Sequence, residues 1–402
     1  MRVAIVGNFG LTYKATMSHR AIPIADELAR RGHEVAVFVP DDAPGKAPAA
    51  ATSSVPIYAI AESPATPVTP LASVAFLGQL ALGVRILLRV WAYRPAVVYG
   101  FKPIGYAGLA LAAFWLARRF GLTRATLALD ADDWEGSGGW ADREHQPFWR
   151  RWLVNWQEEW GLRHADVVTV ASRELARLAG PLRRQTVYAP NAASPTSPGW
   201  RQVDRSVARG TAHVGERQVV LCYTRFVEFA PARLLDTFAL IRENCPAALL
   251  LVAGQGLTGE ERLLWDMARS RGLADAVRVL GWVPSRDLPV VFGAADVALY
   301  LLDDTLLNRA KCPMKLVDLL LAGVAVVADD VGQAGEYIVN ERTGFLTMPG
   351  DTAGMARLAS ELLRDPMKRN EIGVAARADI LERWTWTKQG EGIERALVES
   401  TA

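Results

Sequence analysis

The chain has 402 residues, half of them hydrophobic, and a formal net charge of +2 at neutral pH. At roughly 150 residues per domain this length holds two or three domains with ample core, and a charge so near balance excludes an electrostatic nucleic-acid binder. Three cysteines, Cys222, Cys245 and Cys312, without Cys-x-x-Cys spacing argue against a zinc site and for reduced thiols in a cytoplasmic protein.

The opening MRVAIVG already reads as a strand at 2–6, with no basic segment leading an apolar signal, so a protein that is not secreted is expected. Gly7-Asn8-Phe9-Gly10 turns the chain into a helix over 18–31, and Gly32-His33 ends that helix before a strand at 34–39. Strand, glycine turn, helix, glycine and strand is the punctuation of a parallel sheet. A surface loop is expected over 41–53 and a short strand near Ile57. Two apolar runs, 71–84 and 104–117, predict helices flanking a strand at 96–99. Each is shorter than the ~20 residues needed to span a bilayer. Arg85, Arg89 and Arg94 interleave with Trp91 and Tyr93, and Arg118 and Arg119 close the second run. That composition suits either ordinary packing on the sheet or lying on an anionic membrane surface. A strand at 126–129, a Trp-rich helix at 147–162, a strand at 167–170, a helix at 172–178 and a strand at 186–188 complete the first half.

Residues 196–215, with Pro198, Gly199, Gly210 and mixed charge, show no sustained periodicity and are expected to be a linker. The pattern then restarts with strands at 218–222, 248–252, 277–280 and 297–300 and helices at 231–242, 259–271 and 285–292. A short helix running into a buried Val-rich strand follows within 311–330, then helices after Asp351. The chain is therefore expected to be α/β, with two doubly wound domains at 1–195 and 216–383 and a closing helix at 384–402.

Four stretches carry candidate chemistry. Asp130-Ala131-Asp132-Asp133-Trp134-Glu135 stands at the carboxyl end of a strand, the edge where open parallel sheets bind ligands. Gly254 to Gly259 matches the dinucleotide fingerprint by letter, but the next strand ends in Gly281 and Trp282 where that fold needs an acid. Gly332-Gln333-Ala334-Gly335-Glu336 lies between a strand and a short helix, a turn whose N–H groups suit phosphate. Asp318 projects from an otherwise apolar helix one turn after Met314, and a lone carboxylate there needs a partner.

The stretch 311–330, KCPMKLVDLLLAGVAVVADD, resembles the signature of the retaining glycosyltransferases of family 4, GT-B enzymes whose two Rossmann-like domains face a central cleft. The resemblance implies that Asp318 grips the ribose hydroxyls of a sugar nucleotide. It implies that Arg225, in Thr224-Arg225-Phe226, binds the diphosphate, and that Gly332 and Gly335 lie beside the donor's diphosphate and sugar. Family members carry a Gly-x-Gly where this chain has Gly254 and Gly256. Two positions depart from the pattern. Ala310 replaces an acid that commonly holds the transferred sugar, leaving Asp303, Asp304 or Asn308 for that work, and the second cation is missing near Ala230, leaving Arg233, Lys311 or Lys315. Gly10 and Trp282 complete the donor-side candidates, and Asp132 or Asp133 would approach the acceptor and the transferred sugar. Tyr188-Ala189-Pro190-Asn191 resembles the family's hinge and residues 165–172 one of its strands.

By resemblance, then, the chain is expected to be a metal-independent enzyme that needs no cofactor. It would move a sugar from a nucleoside diphosphate sugar to a hydroxyl acceptor, a cell-envelope polysaccharide or lipid glycan, with retention of configuration. The first domain would take the acceptor and the second the donor, with the closing helix crossing back onto the first. The expected place is the cytoplasm or the inner face of the plasma membrane. A sugar-nucleotide epimerase of the same fold and a non-catalytic subunit are the alternatives.

Overall fold

The computed structural model describes all residues except 12–15, 43–52, 62–71, 144–146, 184 and 402, and only the backbone of 72–77 and 143. The expected loop over 41–53 and the start of the apolar run at 71 therefore lie largely outside the described residues. Two compact units emerge: residues 1–191 with 310–312 and 386–402, and residues 192–309 with 313–385.

The first unit runs β1 (Arg2–Gly7), α1 (Ile22–Arg30), β2 (Glu34–Pro40), β3 (Ile57–Ile60), α2 (Ala72–Tyr93), β4 (Val97–Phe101), α3 (Gly105–Arg119), β5 (Thr126–Ala131), α4 (Trp140–Arg143), α5 (Phe148–His164), β6 (Val167–Val170), α6 (Arg173–Ala179) and β7 (Val187–Tyr188). Its seven strands are all parallel, in the order β3-β2-β1-β4-β5-β6-β7. The order reverses between β1 and β4, so Asn8 and Lys102, the residues after those strands, flank the switch point where such sheets bind ligands. α3 packs against both α2 and α5, as right-handed crossovers running one way across the sheet require, whereas α1 packs elsewhere. A π-helical turn, Met17–Ala21, precedes α1 and carries Arg20.

The second unit runs α7 (Arg205–Thr211), β8 (Val219–Tyr223), α8 (Pro231–Asn244), β9 (Leu249–Ala253), α9 (Glu260–Ser270), β10 (Val277–Gly281), α10 (Leu288–Ala294), β11 (Val297–Tyr300), α11 (Leu306–Ala310), α12 (Met314–Leu321), β12 (Ala325–Asp329), α13 (Ala334–Tyr337), β13 (Phe345–Thr347), α14 (Thr352–Arg364) and α15 (Pro366–Arg383). Its six parallel strands lie in the order β10-β9-β8-β11-β12-β13, with the switch between β8 and β11. Arg225 is on the loop that leaves β8 at that switch.

The stretch 196–215 is not irregular. It forms a 3₁₀ turn at Pro198–Trp200 and then α7, because the Asp204 carboxylate accepts the N–H groups of Ser206 and Val207 and caps the helix. Arg205 and Arg209 then pair with the buried Asp296. A seven-residue helix with Gly210 in its last turn is too short to show periodicity, so its cap was the local signal.

Among the described residues no helix is long and apolar enough to cross a membrane. The last helix, α16 (Trp386–Thr401), belongs to the first unit and packs on α1, β5, β6 and β7. Ile393 and Leu397 on its inner side are fully buried. Ile393→Ala or Leu397→Ala should each lower the unfolding free energy of that unit by about 2–5 kcal/mol. Val398→Ala, on the half-exposed side, should stay within about 0.5 kcal/mol in the same urea denaturation.

Candidate functional site

In the first unit β5 continues into the acidic run, and its first acid is structural. Asp130 is fully buried and receives Nε and Nη2 of Arg20 at 2.6 and 2.7 Å, plus the Thr169 hydroxyl at 2.6 Å. Burial opposes the charge on Arg20, but Asp130 overrides it and holds the guanidinium firmly protonated. Arg20 also donates to Asn191 Oδ1 at 3.1 Å, in the Pro-Asn stretch expected as a hinge.

Asp132 is different. It is 9% exposed, its Oδ1 has no hydrogen-bond partner, and the nearest cation, Lys102 Nζ, stands 3.4 Å away. Burial, only partly offset by Lys102, pushes its carboxyl up to about 6. Lys102 itself is buried, in a left-handed backbone conformation with φ 69°, and donates to Asp133 Oδ2 at 3.0 Å and Glu135 Oε1 at 2.5 Å. Burial opposes its charge, and the three carboxylates more than restore it. Behind this loop Glu158 of α5 accepts the N–H groups of Glu135 and Gly136, and burial together with Glu135 pushes it up to about 8. A Cβ on Gly136 would lie 2.8 Å from both Glu158 and Asn155, so only glycine lets the loop close on α5.

Gly10 does not line an open loop. It is buried, and a Cβ there would lie 2.2 Å from the Asp42 carboxyl carbon, so its small size serves the packing of two strand ends. Asn8 Oδ1 accepts the N–H of Tyr106 and fixes the start of α3.

In the second unit the Thr224 hydroxyl accepts the N–H of Phe226, which adopts φ 59°, and the tight turn leaves Arg225 exposed at its tip. Arg225 makes no hydrogen bond or ion pair among the described residues. The Gly254 of the fingerprint-like stretch packs directly on this turn, since a Cβ on it would fall 1.7 Å from the Thr224 carbonyl. Its glycine is thus explained by close backbone approach between the ends of β8 and β9.

Asp318 is 2% exposed on α12, accepts the backbone N–H of Gly199, and has no partner for Oδ1. Burial pushes its carboxyl up to about 8, with the Gly199 hydrogen bond and Lys315 pulling the other way. Lys315, one turn earlier, places Nζ 5.5 Å from the ring centre of Tyr223, the last residue of β8. Burial, and then Asp318, raise the Tyr223 hydroxyl. The structure thus groups Asp318, Lys315 and Tyr223 beneath the Arg225 turn.

Other candidates lie apart from that group. Lys311 sits with Nζ 5.2 Å over the Trp140 ring, inside the first unit. Trp282 is exposed beyond the edge strand β10, two strands from β8. Gly332 is exposed in the turn after β12, and Gly335 is exposed in the short helix α13 that follows. Gly332 has φ 56°, and a Cβ on it would meet the Arg309 backbone at 2.7 Å. Arg233 is committed to Asp329, at 2.5 and 2.7 Å, and to Asp303 at 3.1 Å. Asp304 pairs with Arg309. Of the three substitutes weighed for the acid absent at Ala310, Asn308 alone keeps a buried oxygen, Oδ1, without a partner, while its Nδ2 donates to the Glu228 and Asp303 carbonyls. Sequence reasoning missed Lys102, Arg20, Glu158 and Tyr223; for Lys102 the signal was its place directly after β4, at the switch point.

Two parallel sheets with helices, each with a switch point, define an α/β protein of the GT-B fold. The same fold is seen in Anabaena HepE in complex with UDP, at TM-score 0.70 and 20% identity over 99% of this chain and 100% of that one. It is seen again in WaaG, a glycosyltransferase involved in lipopolysaccharide biosynthesis, at TM-score 0.67 and 16% identity over 98% and 99% of the two chains. Glycosyl transferases group 1 matches residues 206–379 and the Glycosyl transferase 4-like domain matches residues 16–192. The chain belongs to the group 1, family 4 glycosyltransferases. It is 27% identical, over 58% of its length, to the GDP-mannose-dependent alpha-(1-6)-phosphatidylinositol monomannoside mannosyltransferase of Mycolicibacterium smegmatis. It is 26% identical, over 73% of its length, to a glycogen synthase of Mycobacterium tuberculosis. The matches span 62% and 66% of those two relatives.

The Asp318 carboxyl generates a stability prediction. Its folded value is raised from the ordinary 3.8 to about 8, so between those limits the folded state holds a proton that the unfolded state has lost. Stability therefore falls as pH rises across that window. Asp318→Asn should flatten this slope and, at pH 8, melt above wild type by roughly 1 kcal/mol or more. A thermal denaturation series from pH 5 to about 9 measures the difference between the two proteins.

Proposed function

We propose that the chain transfers a sugar from a nucleoside diphosphate sugar to a hydroxyl acceptor with retention of anomeric configuration and without an essential metal. The acceptor would be a cell-envelope polysaccharide or lipid glycan. The observation that carries this is the pairing, in the second unit, of a buried carboxyl with one unpartnered oxygen and an exposed, unpaired guanidinium at the switch point. Vicinal ribose hydroxyls would supply the donors that Asp318 Oδ1 lacks, and a diphosphate would supply the anion that Arg225 lacks. Lys315, beside Asp318, is the second donor-side cation, and the exposed Gly332 and Gly335 would lie beside the diphosphate and sugar. The named donor of the mycobacterial relative is GDP-mannose, and the Anabaena neighbour was solved with UDP and with UDP-glucose.

In the first unit Asp132, raised to about 6 and without a hydrogen bond at Oδ1 although Lys102 stands 3.4 Å from it, is suited to accept a hydroxyl proton near neutral pH. Lys102 keeps Asp133 and Glu135 fixed beside it. Arg225 would gain strength as negative charge builds on the departing diphosphate, which is what distinguishes catalysis from binding.

A thermal-shift screen with UDP, GDP, ADP and their sugars tests the donor assignment, since a ligand of the native state must raise the midpoint. Hydroxyls that donate to Asp318 favour its ionised form, so affinity should rise with pH up to about 8, the free carboxyl's value. Asp318→Asn should lose that pH dependence and about 1–3 kcal/mol of affinity; unaltered affinity for the preferred nucleotide would remove the ribose assignment. An inverted anomeric NMR signal in the product would refute retention.

Arg225→Ala should lower kcat by about 10²–10³-fold with a smaller change in donor affinity. Arg225→Lys should recover only part of the rate, because the ammonium lacks the planar fork. Wild-type turnover in Arg225→Ala would place the phosphate site elsewhere.

A further inference from the structure

Every fourth residue of α5 from its start is a ring: Phe148, Trp152, Trp156, Trp160 and His164. That spacing lines them along one side of the helix. At the C-terminal end the stripe is packed, with Trp160 stacked on His164 at 4.7 Å and edge-on to Trp115 of α3 at 5.8 Å. At the N-terminal end it is bare: Phe148 is 81% exposed, Trp152 59% and Trp156 49%, with Trp149 beside them at 61%. Single exposed apolar residues need no explanation, but four large rings on adjoining turns form the contiguous kind of patch that marks a docking surface.

Charge selects what docks there. α2 and α3 contain no Asp or Glu, and in α5 no acid precedes Glu158, which is buried and turned to the acidic loop. Arg89, Arg119 and Arg150 are exposed and have no acidic partner among the described residues; Arg118 and Arg151 are paired with Asp166 and Asp142. α3 touches both α2 and α5, so the three helices adjoin in one layer on which these cations, flanking the stripe, and the rings are all exposed. A second copy seated on this surface by two-fold symmetry would set cations against cations. An anionic bilayer answers both features: indole and phenyl rings settle at the headgroup boundary, and guanidinium groups pair with lipid phosphates.

We propose that the N-terminal half of α5 is an anchor that docks the protein on an anionic membrane, with Phe148, Trp149, Trp152 and Trp156 entering the boundary between headgroups and acyl chains and Arg150 and the arginines of α2 and α3 holding lipid phosphate. This centres membrane contact on α5, whereas the sequence had suggested it for the apolar runs of α2 and α3, and it stands independently of the sugar-transfer proposal.

The test is co-sedimentation of the full chain with vesicles of phosphatidylcholine alone or of phosphatidylcholine with phosphatidylglycerol. Wild type should bind the anionic vesicles, and Trp149→Ser/Trp152→Ser should bind them about ten-fold or more weakly. Because both rings are exposed, that double variant should keep the wild-type melting curve. Arg150→Glu should weaken binding further as salt is lowered, the sign expected of a reversed surface charge. Equal recovery on neutral and anionic vesicles, no recovery on either, or wild-type recovery of the double variant would each overturn the proposal. Self-association in sedimentation velocity that the double variant abolishes would assign the surface to a second copy instead. Nucleotide thermal shifts on the same proteins report the donor site separately, so a failed anchor and a failed donor site give different results.

Discussion

A carboxylate buried at the carboxyl end of a strand is the constraint around which each unit is built. In the first unit it is Asp130 of β5, answered by both arms of Arg20 and by Thr169. In the second it is Asp329 of β12, answered by both oxygens' contacts to Arg233 and by the N–H groups of Leu302 and Gly350. Unpaired, either charge would be severely penalised by its dry surroundings; paired two-fold with a guanidinium, it ties distant segments into one geometry. Arg20 reaches Asp130 across 110 residues and Arg233 reaches Asp329 across 96. Each pair therefore fixes a strand end, and with it the loop that leaves that end.

Next to each satisfied acid stands an unsatisfied one. Asp132 lies two residues beyond Asp130, and Asp318 lies on the helix that feeds the strand of Asp329. Both are nearly as buried as their neighbours, yet each leaves Oδ1 without a hydrogen bond. The result is the pair of raised values, about 6 and about 8, in which burial outweighs the pull of Lys102 on Asp132 and of Gly199 and Lys315 on Asp318. Buried bonds left unmade call for an explanation, of which a ligand is one, and pKa values displaced by desolvation cluster at functional sites. Rigid acids hold the frame; uncompleted acids wait on it.

Much of this was legible in the chain. Valine-rich runs closed by glycine and separated by amphipathic stretches gave both parallel sheets, and α12 and β12 were visible from Gly323 and the run after it. What the letters could not show was which acid in Asp130–Glu135 would be neutralised, since that depends on Arg20, which reaches β5 only through a π-helical turn far upstream. Nor could they show that Lys311 would lie over Trp140, or that Arg233 would be committed to Asp329. Long cationic side chains choose among acids in space, and sequence spacing carries little of that information. Gly10 was ambiguous for the opposite reason: a turn glycine signals that no side chain fits, without saying whether a ligand or, as here, Asp42 lies in the space.

One helix joins the two surfaces of the first unit. α5 presents Asn155 and Glu158 inward, where they accept the N–H groups of Ser137, Gly136 and Glu135, and its rings outward. Because Glu158 is uncharged through much of the neutral range, this grip on the loop draws little on the charge of Lys102, which is left to Asp132, Asp133 and Glu135. A helix is stiff over four turns, so whatever the outer stripe rests on sets the position of the inner carboxyl and hence of the acidic loop. In a parallel sheet the chemistry lies at the strand ends and docking surfaces on the covering helices, and the two are usually independent. On the proposed anchoring α5 would couple them: an acceptor held in a membrane on which the rings rest would meet Asp132 at a height fixed by the helix, with no moving part required.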